Sequence, residues 1–168
     1  MRSVMLSLFL SAPLCAGMLV YDINLDATTQ QVPPNASPGF GFAKLTLDDI
    51  ANTLHIDLTY SGLTAPATNA HIHCCADPGS NAGVVLPFIP GGFLTGSTSG
   101  SFIADFSLTQ TLVGDIESGR SYINIHTGNF PGGEIRGNIT AATLETPEPG
   151  AAAMLLIGLA ALWRRRRH

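Results

Sequence analysis

Short segments in which apolar and polar side chains alternate are the feature that most limits the fold of this chain. In Leu54-His55-Ile56-Asp57-Leu58-Thr59-Tyr60 the apolar side chains fall on one face and the polar ones on the other, as in a half-buried antiparallel strand. Turn-forming residues separate such segments, as at Val32-Pro33-Pro34-Asn35 and Phe130-Pro131-Gly132-Gly133. The 18 glycines and 11 prolines therefore indicate many turns between strands and argue against a helical bundle.

Eight segments have the composition of strands, and one has the spacing of a helix. The predicted strands cover residues 19–25, 40–47, 54–60, 70–75, 83–88, 101–108, 121–127 and 134–143. Between the sixth and seventh predicted strands, residues 109–119 place Leu112, Val113 and Ile116 at helical spacing and end in Gly119. We therefore expect an all-β fold, an antiparallel Greek-key β-sandwich of immunoglobulin-like or superoxide-dismutase-like form, with one short crossover helix. A closed barrel is the alternative.

The first 17 residues have the order of a secretory signal peptide. Arg2 supplies a positive charge, an apolar run follows, and small residues come after it up to Gly17. A buried N-terminal helix or strand is the alternative, but Pro13 and the small residues would end it early. We expect a leader over residues 1–17 and a body of one domain over residues 18–146.

The last 22 residues form three consecutive blocks. An uncharged apolar run covers residues 150–163, which is shorter than the ~20 residues of a comfortable membrane span. The flanking blocks are Pro147, Glu148 and Pro149 on one side and the cluster Arg164, Arg165, Arg166 and Arg167 on the other. The arginines are expected to stay on the cytoplasmic side, which places the body outside.

This block order resembles the PEP-CTERM sorting signal of Gram-negative bacteria. The resemblance implies that an exosortase cuts near the Pro-Glu-Pro motif and releases or transfers the protein to the cell exterior, often in organisms that make extracellular polysaccharide. We therefore expect an intermediate anchored transiently in the inner membrane, followed by a cell-surface or extracellular protein. An ordinary tail anchor that is never cut is the alternative.

Charge excludes one class of partner. The formal net charge is −4 and only 12% of the residues are charged. Four of the eight basic residues lie in the tail cluster and Arg2 lies in the leader, so Lys44, Arg120 and Arg136 are the only Lys or Arg residues of the body. No basic surface is left for nucleic acid, and we expect none to bind.

Three histidines are candidate metal ligands. His71 and His73 are two residues apart on a predicted strand, so their side chains share one face, and His126 lies on another predicted strand. If these strands are neighbours, the three neutral imidazoles suit copper or zinc. The His-x-His pattern is similar to the copper ligands of copper/zinc superoxide dismutase, but no histidine stands between His73 and His126, so the zinc-binding loop of that enzyme is missing. The alternative, which the sequence favours, is a polar cluster in which the histidines bond backbone carbonyls and loop carboxylates.

Glu134 and Arg136 are interpreted as structural. Their two-residue spacing puts both side chains on one strand face, where a bidentate carboxylate–guanidinium contact would hold the loop over residues 128–133. The sequence offers Glu134 no obvious partner carboxylate for acid catalysis, and it shows no phosphate-binding loop or nucleophile–base set that would indicate an enzyme.

Cys74 and Cys75 are the two cysteines of the body. Their adjacency leaves three options: a vicinal disulfide at a bend, separate thiols, or metal ligation by one thiol. We favour the vicinal disulfide, because an oxidising compartment and the Ala-Asp-Pro-Gly-Ser-Asn loop that follows both suit it.

Nearly the whole body resembles the CHRD domain, first described in chordin and widespread in exported bacterial proteins. The most specific match runs from His126 through Gly-Gly-Glu134-Ile-Arg136-Gly137. The resemblance implies an extracellular β-sandwich and does not imply an enzyme. We therefore expect a non-enzymatic module that interacts with extracellular polysaccharide or surface proteins and depends on exosortase and the secretion machinery. The alternative is a metal-binding or redox protein that uses the three histidines.

Overall fold

The alternating segments form strands of one antiparallel sheet. The computed structural model describes residues 17–145. Within that range the strands are β1 (Met18–Asp26), β2 (Phe40–Asp48), β3 (Thr53–Ser61), β4 (Ala67–Cys74), β5 (Gly83–Pro87), β6 (Gly100–Ser107), β7 (Ser121–Thr127), β8 (Ile135–Ile139) and β9 (Thr143–Glu145). A 3-10 helix covers Ile89–Gly91, and the helix α1 covers Gln110–Glu117. The all-β prediction with one short helix is confirmed.

The hydrogen-bonded order of the strands is β5-β4-β7-β8-β1-β2-β3-β6, and β9 pairs with β1 outside this path. All pairings are antiparallel. The sheet curls, and the inward side chains of strands from both of its halves belong to one hydrophobic cluster. This shared core is what stabilises the curled sheet, since burial of apolar area is the main favourable term in folding.

One predicted strand is divided in the structure. Residues 134–143 were expected to form a single strand, but β8 ends at Ile139 and β9 begins at Thr143. Both pieces lie along β1, but the pairing with β7 ends at Ile139, and the register with β1 shifts by one residue between the pairs Asp26–Arg136 and Val20–Thr143. Glu134 therefore lies just before β8 and not within it.

The helix α1 connects β6 to β7, as predicted. The Thr109 side chain accepts a hydrogen bond from the Leu112 backbone N–H at 3.2 Å and so caps the first turn. Val113 and Ile116 are the buried residues of the helix. Gly119 follows at φ 73°, a left-handed conformation that glycine adopts without a steric penalty.

The two terminal segments lie outside this description. The predicted leader up to residue 16 and the predicted sorting tail over residues 147–168, including the apolar run 150–163, are not among the described residues. In the range 17–145, no helix is both long and apolar enough to cross a membrane.

Candidate metal centre

The half of the sheet made by β4, β7 and β8 has one apolar face and one polar face. Because side chains alternate along a strand, Ile72, Ile123 and Ile125 point into the core, where none of them is exposed. The register pairs His71 with Asn124, His73 with Tyr122 and Asn124 with Arg136. The opposite face, called here the polar face, therefore carries His71, His73, Tyr122, Asn124, His126, Arg136 and Asn138.

Three histidines converge on this face. His71 and His73 on β4 and His126 on β7 each offer a ring nitrogen within 4.8 Å of the other two. The ring centroid of His71 lies 4.6 Å from that of His73 and 4.5 Å from that of His126. The condition set by the sequence, that the two strands be neighbours, is met because β4 pairs directly with β7.

Backbone carbonyls fix the orientation of two of these rings. Nδ1 of His73 donates to the carbonyl of Ala82 at 2.8 Å, and Nδ1 of His126 donates to the carbonyl of Pro131 at 2.9 Å. A carbonyl only accepts, so Nδ1 carries the proton and Nε2 of each ring keeps its lone pair. These bonds match part of the polar-cluster alternative, but they also form the outer shell that metal-ligating histidines use.

Each ring has a buried nitrogen without a hydrogen-bond partner. Nδ1 of His71, Nε2 of His73 and Nε2 of His126 are buried and make no hydrogen bond to the described residues. A buried polar atom without a partner costs about 1–3 kcal/mol, so three of them in one cluster need an explanation. Coordination of one ion by the three lone pairs would satisfy all of them.

The histidines are held in the neutral form that binds metal. Burial, followed by the positive charge that His126 and His73 would carry, lowers the pKa of His71 to about 4. Burial also lowers the pKa of His73 and of His126. At neutral pH all three rings are therefore uncharged, and protons do not compete with a metal ion for the lone pairs.

Tyr122 on β7 and Arg136 on β8 pack beside the three histidines. The Tyr122 ring stacks on the imidazole of His73 with the centroids 4.6 Å apart. The guanidinium carbon of Arg136 lies 3.4 Å from the centroid of the same tyrosine ring, a cation–π contact. The phenol oxygen accepts a hydrogen bond from the Ala82 N–H at 3.0 Å, so Tyr122 also holds the loop whose carbonyl orients His73.

The predicted contact between Glu134 and Arg136 is wrong. The Arg136 guanidinium donates to the amide oxygens of Asn138 and Asn81. The Glu134 carboxylate instead accepts hydrogen bonds from the Ser37 and Thr127 hydroxyls and the Thr64 backbone N–H. The pair separates because Glu134 precedes β8, so the two-residue alternation of a strand does not apply to it.

Glu134 is nevertheless a structural residue of the loop over residues 128–133. Its side chain is fully buried. Burial raises the pKa of the carboxyl group, but the hydrogen bonds from Ser37, Thr127 and Thr64 outweigh it and the net pKa is lowered. The carboxylate is thus charged at neutral pH and joins the loop after β7 to the segments around residues 37 and 64.

Gly137 fits a close approach of two strands. A Cβ at this position would lie 2.5 Å from Cγ2 of Ile23 and 2.8 Å from the backbone oxygen of Asn24. Contacts this short do not occur between real atoms of these kinds, so only glycine is accommodated without movement of β1. Gly137 therefore belongs to the packing of β8 on β1.

Cys74 and Cys75 are bonded to each other in the structure. They follow His73 at the end of β4, where Cys74 is buried and Cys75 exposed. Asp115 lies close to both sulfurs, but bonded sulfurs are not available as thiolate ligands.

Two parts of the centre were missed from the sequence. Tyr122 and Asn124 alternate with His126 along β7, so the period-two alternation of that strand would have placed them on the polar face. The carbonyls of Ala82 and Pro131 carry no sequence signal, because any residue offers the same group.

A cavity of about 380 Å³ lies next to the loops that orient the histidines. Its walls carry no charged side chain and are formed by Gln31, Val32, Pro33, Pro34, Asn35, Asn81, Phe130, Gly132 and Gly133. Ala82 and Pro131, whose carbonyls orient two histidines, are therefore sequence neighbours of the cavity-wall residues Asn81 and Gly132.

Comparison with known families gives a match over most of the described chain. Residues 23–139 match the model of the CHRD domain. Neither the search of curated proteins nor the search of solved structures gave a match.

Proposed function

Since the chain belongs to the CHRD domain family, we propose that it is an exported CHRD module whose polar face binds one copper or zinc ion through His71, His73 and His126. Two observations carry this proposal: each of the three histidines offers a ring nitrogen within 4.8 Å of the other two, and each ring has a buried nitrogen without a hydrogen-bond partner. Neutral imidazole is a good ligand for both metals.

The electrostatics and the outer shell support the same proposal. Burial keeps the rings neutral, and the Ala82 and Pro131 carbonyls fix the tautomers of His73 and His126. Three protein ligands leave a further coordination position for water or another small ligand. The proposal assigns no catalytic residue.

Metal analysis of the purified full-length protein tests the proposal. We expect about one copper or zinc ion per chain in the wild type and none in the H71A/H73A double variant. The variant His55→Ala is the matched control, because His55 is an exposed histidine on β3, bonded to Asp105. Metal-free wild-type protein with an intact fold, which also fails to take up either ion on titration, would exclude a metal site.

We also propose that the chain is exported through its leader and that exosortase processes its PEP-CTERM tail. The support is the order of the Pro147 to Pro149 motif, the apolar run and the arginine cluster in the sequence. Removal of residues 147–168 is expected to abolish membrane retention. A truncated chain that still fractionates with membranes would show that the tail is not the anchor.

A second candidate function is the binding of an uncharged polymer, such as extracellular polysaccharide. The cavity between the loops favours it, since its walls combine neutral amides with Phe130 and two prolines, a surface suited to hydroxyl groups and sugar rings. Titration with neutral oligosaccharides, followed by NMR, would show saturable shifts that Phe130→Ala removes. Identical spectra at all sugar concentrations would exclude this ligand class for the cavity.

For the architecture, we propose that the two halves of the curled sheet pack as the layers of a Greek-key sandwich. The support is that strands β2 and β3 of one half and β4 and β7 of the other contribute to the same cluster. An experimental structure in which the two halves form a closed barrel would overturn this assignment.

A further inference from the structure

We propose that the three-histidine centre selects the monovalent ion Cu(I) over Cu(II) and Zn(II). This inference rests on the proposed function and concerns the charge of the ion rather than the existence of the site. It follows from the ligand set, from a buried cation beside it, and from the way the nearby carboxylates are used.

The ligand set provides no negative charge. The cluster on the polar face consists of three imidazoles, and His71 and His73 are 6% and 8% exposed. An ion bound by neutral ligands keeps its full charge, and the cost of burying that charge rises steeply with its magnitude. A monovalent ion is therefore penalised less in this centre than a divalent one.

A buried guanidinium adds to this preference. Arg136 is only 1% exposed, and its hydrogen-bond acceptors are the neutral amide oxygens of Asn138 and Asn81. The Arg136 guanidinium packs on one face of the Tyr122 ring, and that ring stacks on the imidazole of His73, a proposed ligand. Only the Tyr122 ring separates the Arg136 charge from the imidazole of His73. This fixed positive charge repels a divalent ion twice as strongly as a monovalent one, which corresponds to about tenfold or more in relative affinity.

Two carboxylates that lie beside Arg136 in the strand pairing or in the sequence accept hydrogen bonds from other donors. Asp26 faces Arg136 across the β1–β8 pairing, but its oxygens accept from the backbone N–H groups of Thr28, Thr29 and Gln30. Glu134 is held by the two hydroxyls and the N–H described above. Neither carboxylate forms a salt bridge with Arg136 in the described residues, where the ion pairs are His55 with Asp105 and Arg120 with Asp77.

The number of ligands agrees with the charge argument. Cu(II) prefers four ligands in a square-planar or tetragonal arrangement, and zinc held by three histidines needs a further ligand such as water to complete its coordination. The three histidine nitrogens alone complete neither arrangement. Cu(I) is stable with three imidazole ligands.

Competition titrations on the full-length protein test the inference. Cu(I) affinity is measured anaerobically against a chromophoric Cu(I) chelator, and Cu(II) and Zn(II) affinities are measured against chelators for those ions. The wild type is expected to bind Cu(I) about tenfold or more tightly than either divalent ion. Tighter binding of Cu(II) or Zn(II) would overturn the inference while leaving a metal site in place, whereas no binding of any of the three ions would overturn the proposed function itself.

Two isosteric variants separate the effect of the guanidinium charge. Asn138→Asp and Asn81→Asp each place a carboxylate on Arg136, and Asn81 is exposed, so its replacement is not expected to unfold the domain. Both should lower the ratio of Cu(I) to Cu(II) affinity by about tenfold, equivalent to a reduction potential about 59 mV lower for the one-electron couple. Thr59→Asp, which adds the same charge at an exposed site on β3, is the matched control. An unchanged ratio in both asparagine variants would rule out the role of Arg136 and with it the inference.

Discussion

The ring of Tyr122 lies almost parallel to the imidazole of His73, with centroids 4.6 Å apart and an angle of 7° between the planes. The same tyrosine accepts a hydrogen bond from the N–H of Ala82, whose carbonyl in turn accepts from Nδ1 of His73. One side chain therefore holds both the ring plane of a proposed ligand and the loop that sets its tautomer.

Loss of this side chain should weaken metal binding without removing a ligand. Tyr122→Leu is expected to lower the affinity for the bound metal by about tenfold, as is usual for residues that orient a ligand. Tyr122→Phe keeps the stack and should have a smaller effect. Competition titration gives the affinities, and Tyr60→Leu, a buried tyrosine in contact with Phe93, is the control for general loss of stability. Equal affinities in wild type and Tyr122→Leu would show that the stack does not position His73.

The metal-free protein should lose stability as the pH falls from 7 to 4. The pKa of His71 is about 4 in the folded chain and the ordinary value is 6.5, so the unfolded state binds the proton first and stability decreases through this window. His71 alone accounts for about 3 kcal/mol between these pH values, and His73 and His126 shift in the same direction. Urea unfolding across this pH range measures the effect.

A histidine variant isolates this contribution. His71→Gln should reduce the pH dependence of the unfolding free energy, whereas His55→Gln, at an exposed position, should leave it close to that of the wild type. If both variants showed the wild-type slope, the buried cluster would not be the source of the acid sensitivity.

Replacement of Glu134 by glutamine should destabilise the domain. The carboxylate accepts from Ser37, Thr64 and Thr127, and an amide NH₂ at one of its oxygen positions would meet a donor instead of a lone pair. We expect a loss of about 2–4 kcal/mol in the free energy of unfolding, measured in urea. Glu117→Gln on the exposed side of α1 should change it little, and a similarly small effect of Glu134→Gln would contradict the role assigned to the carboxylate.

A methyl group at position 137 should also be costly. Gly137→Ala would push Cβ against Ile23 and the Asn24 carbonyl on β1, and overpacking of this kind costs about 1–3 kcal/mol. Thermal or urea unfolding measures the loss. Gly83→Ala is the matched control, because a Cβ there meets nothing within 4 Å. Equal stabilities of the two variants would mean that β1 and β8 can move apart without cost to accommodate the methyl group.

The strands and the shared face of His71 and His73 were predictable because both depend on local alternation. The segment 54–60 shows period two in its own residues, and it forms the central part of β3. His71 and His73 share a face for the same reason. Their meeting with His126 needed one further fact, the pairing of β4 with β7, which the sequence could state only as a condition.

The contacts of Glu134 and Arg136 were not predictable because they are made between distant parts of the chain. Glu134 bonds to Ser37, 97 residues away, and Arg136 bonds to Asn81, 55 residues away. Spacing along one strand cannot anticipate such partners. The division of the last predicted strand also depends on distant segments, since the pairing with β7 ends at Ile139 and the register with β1 shifts by one residue before Thr143.

The opposite faces of β4 and β7 link the proposed site to correct folding. A slip of one residue in the pairing of these strands would turn the histidines into the core and the isoleucines toward the loops, because each side chain would change face. The misfolded form would then lose its apolar core and its metal ligands together. Metal uptake would consequently report that these two strands had paired correctly, and the bound ion would stabilise only that pairing.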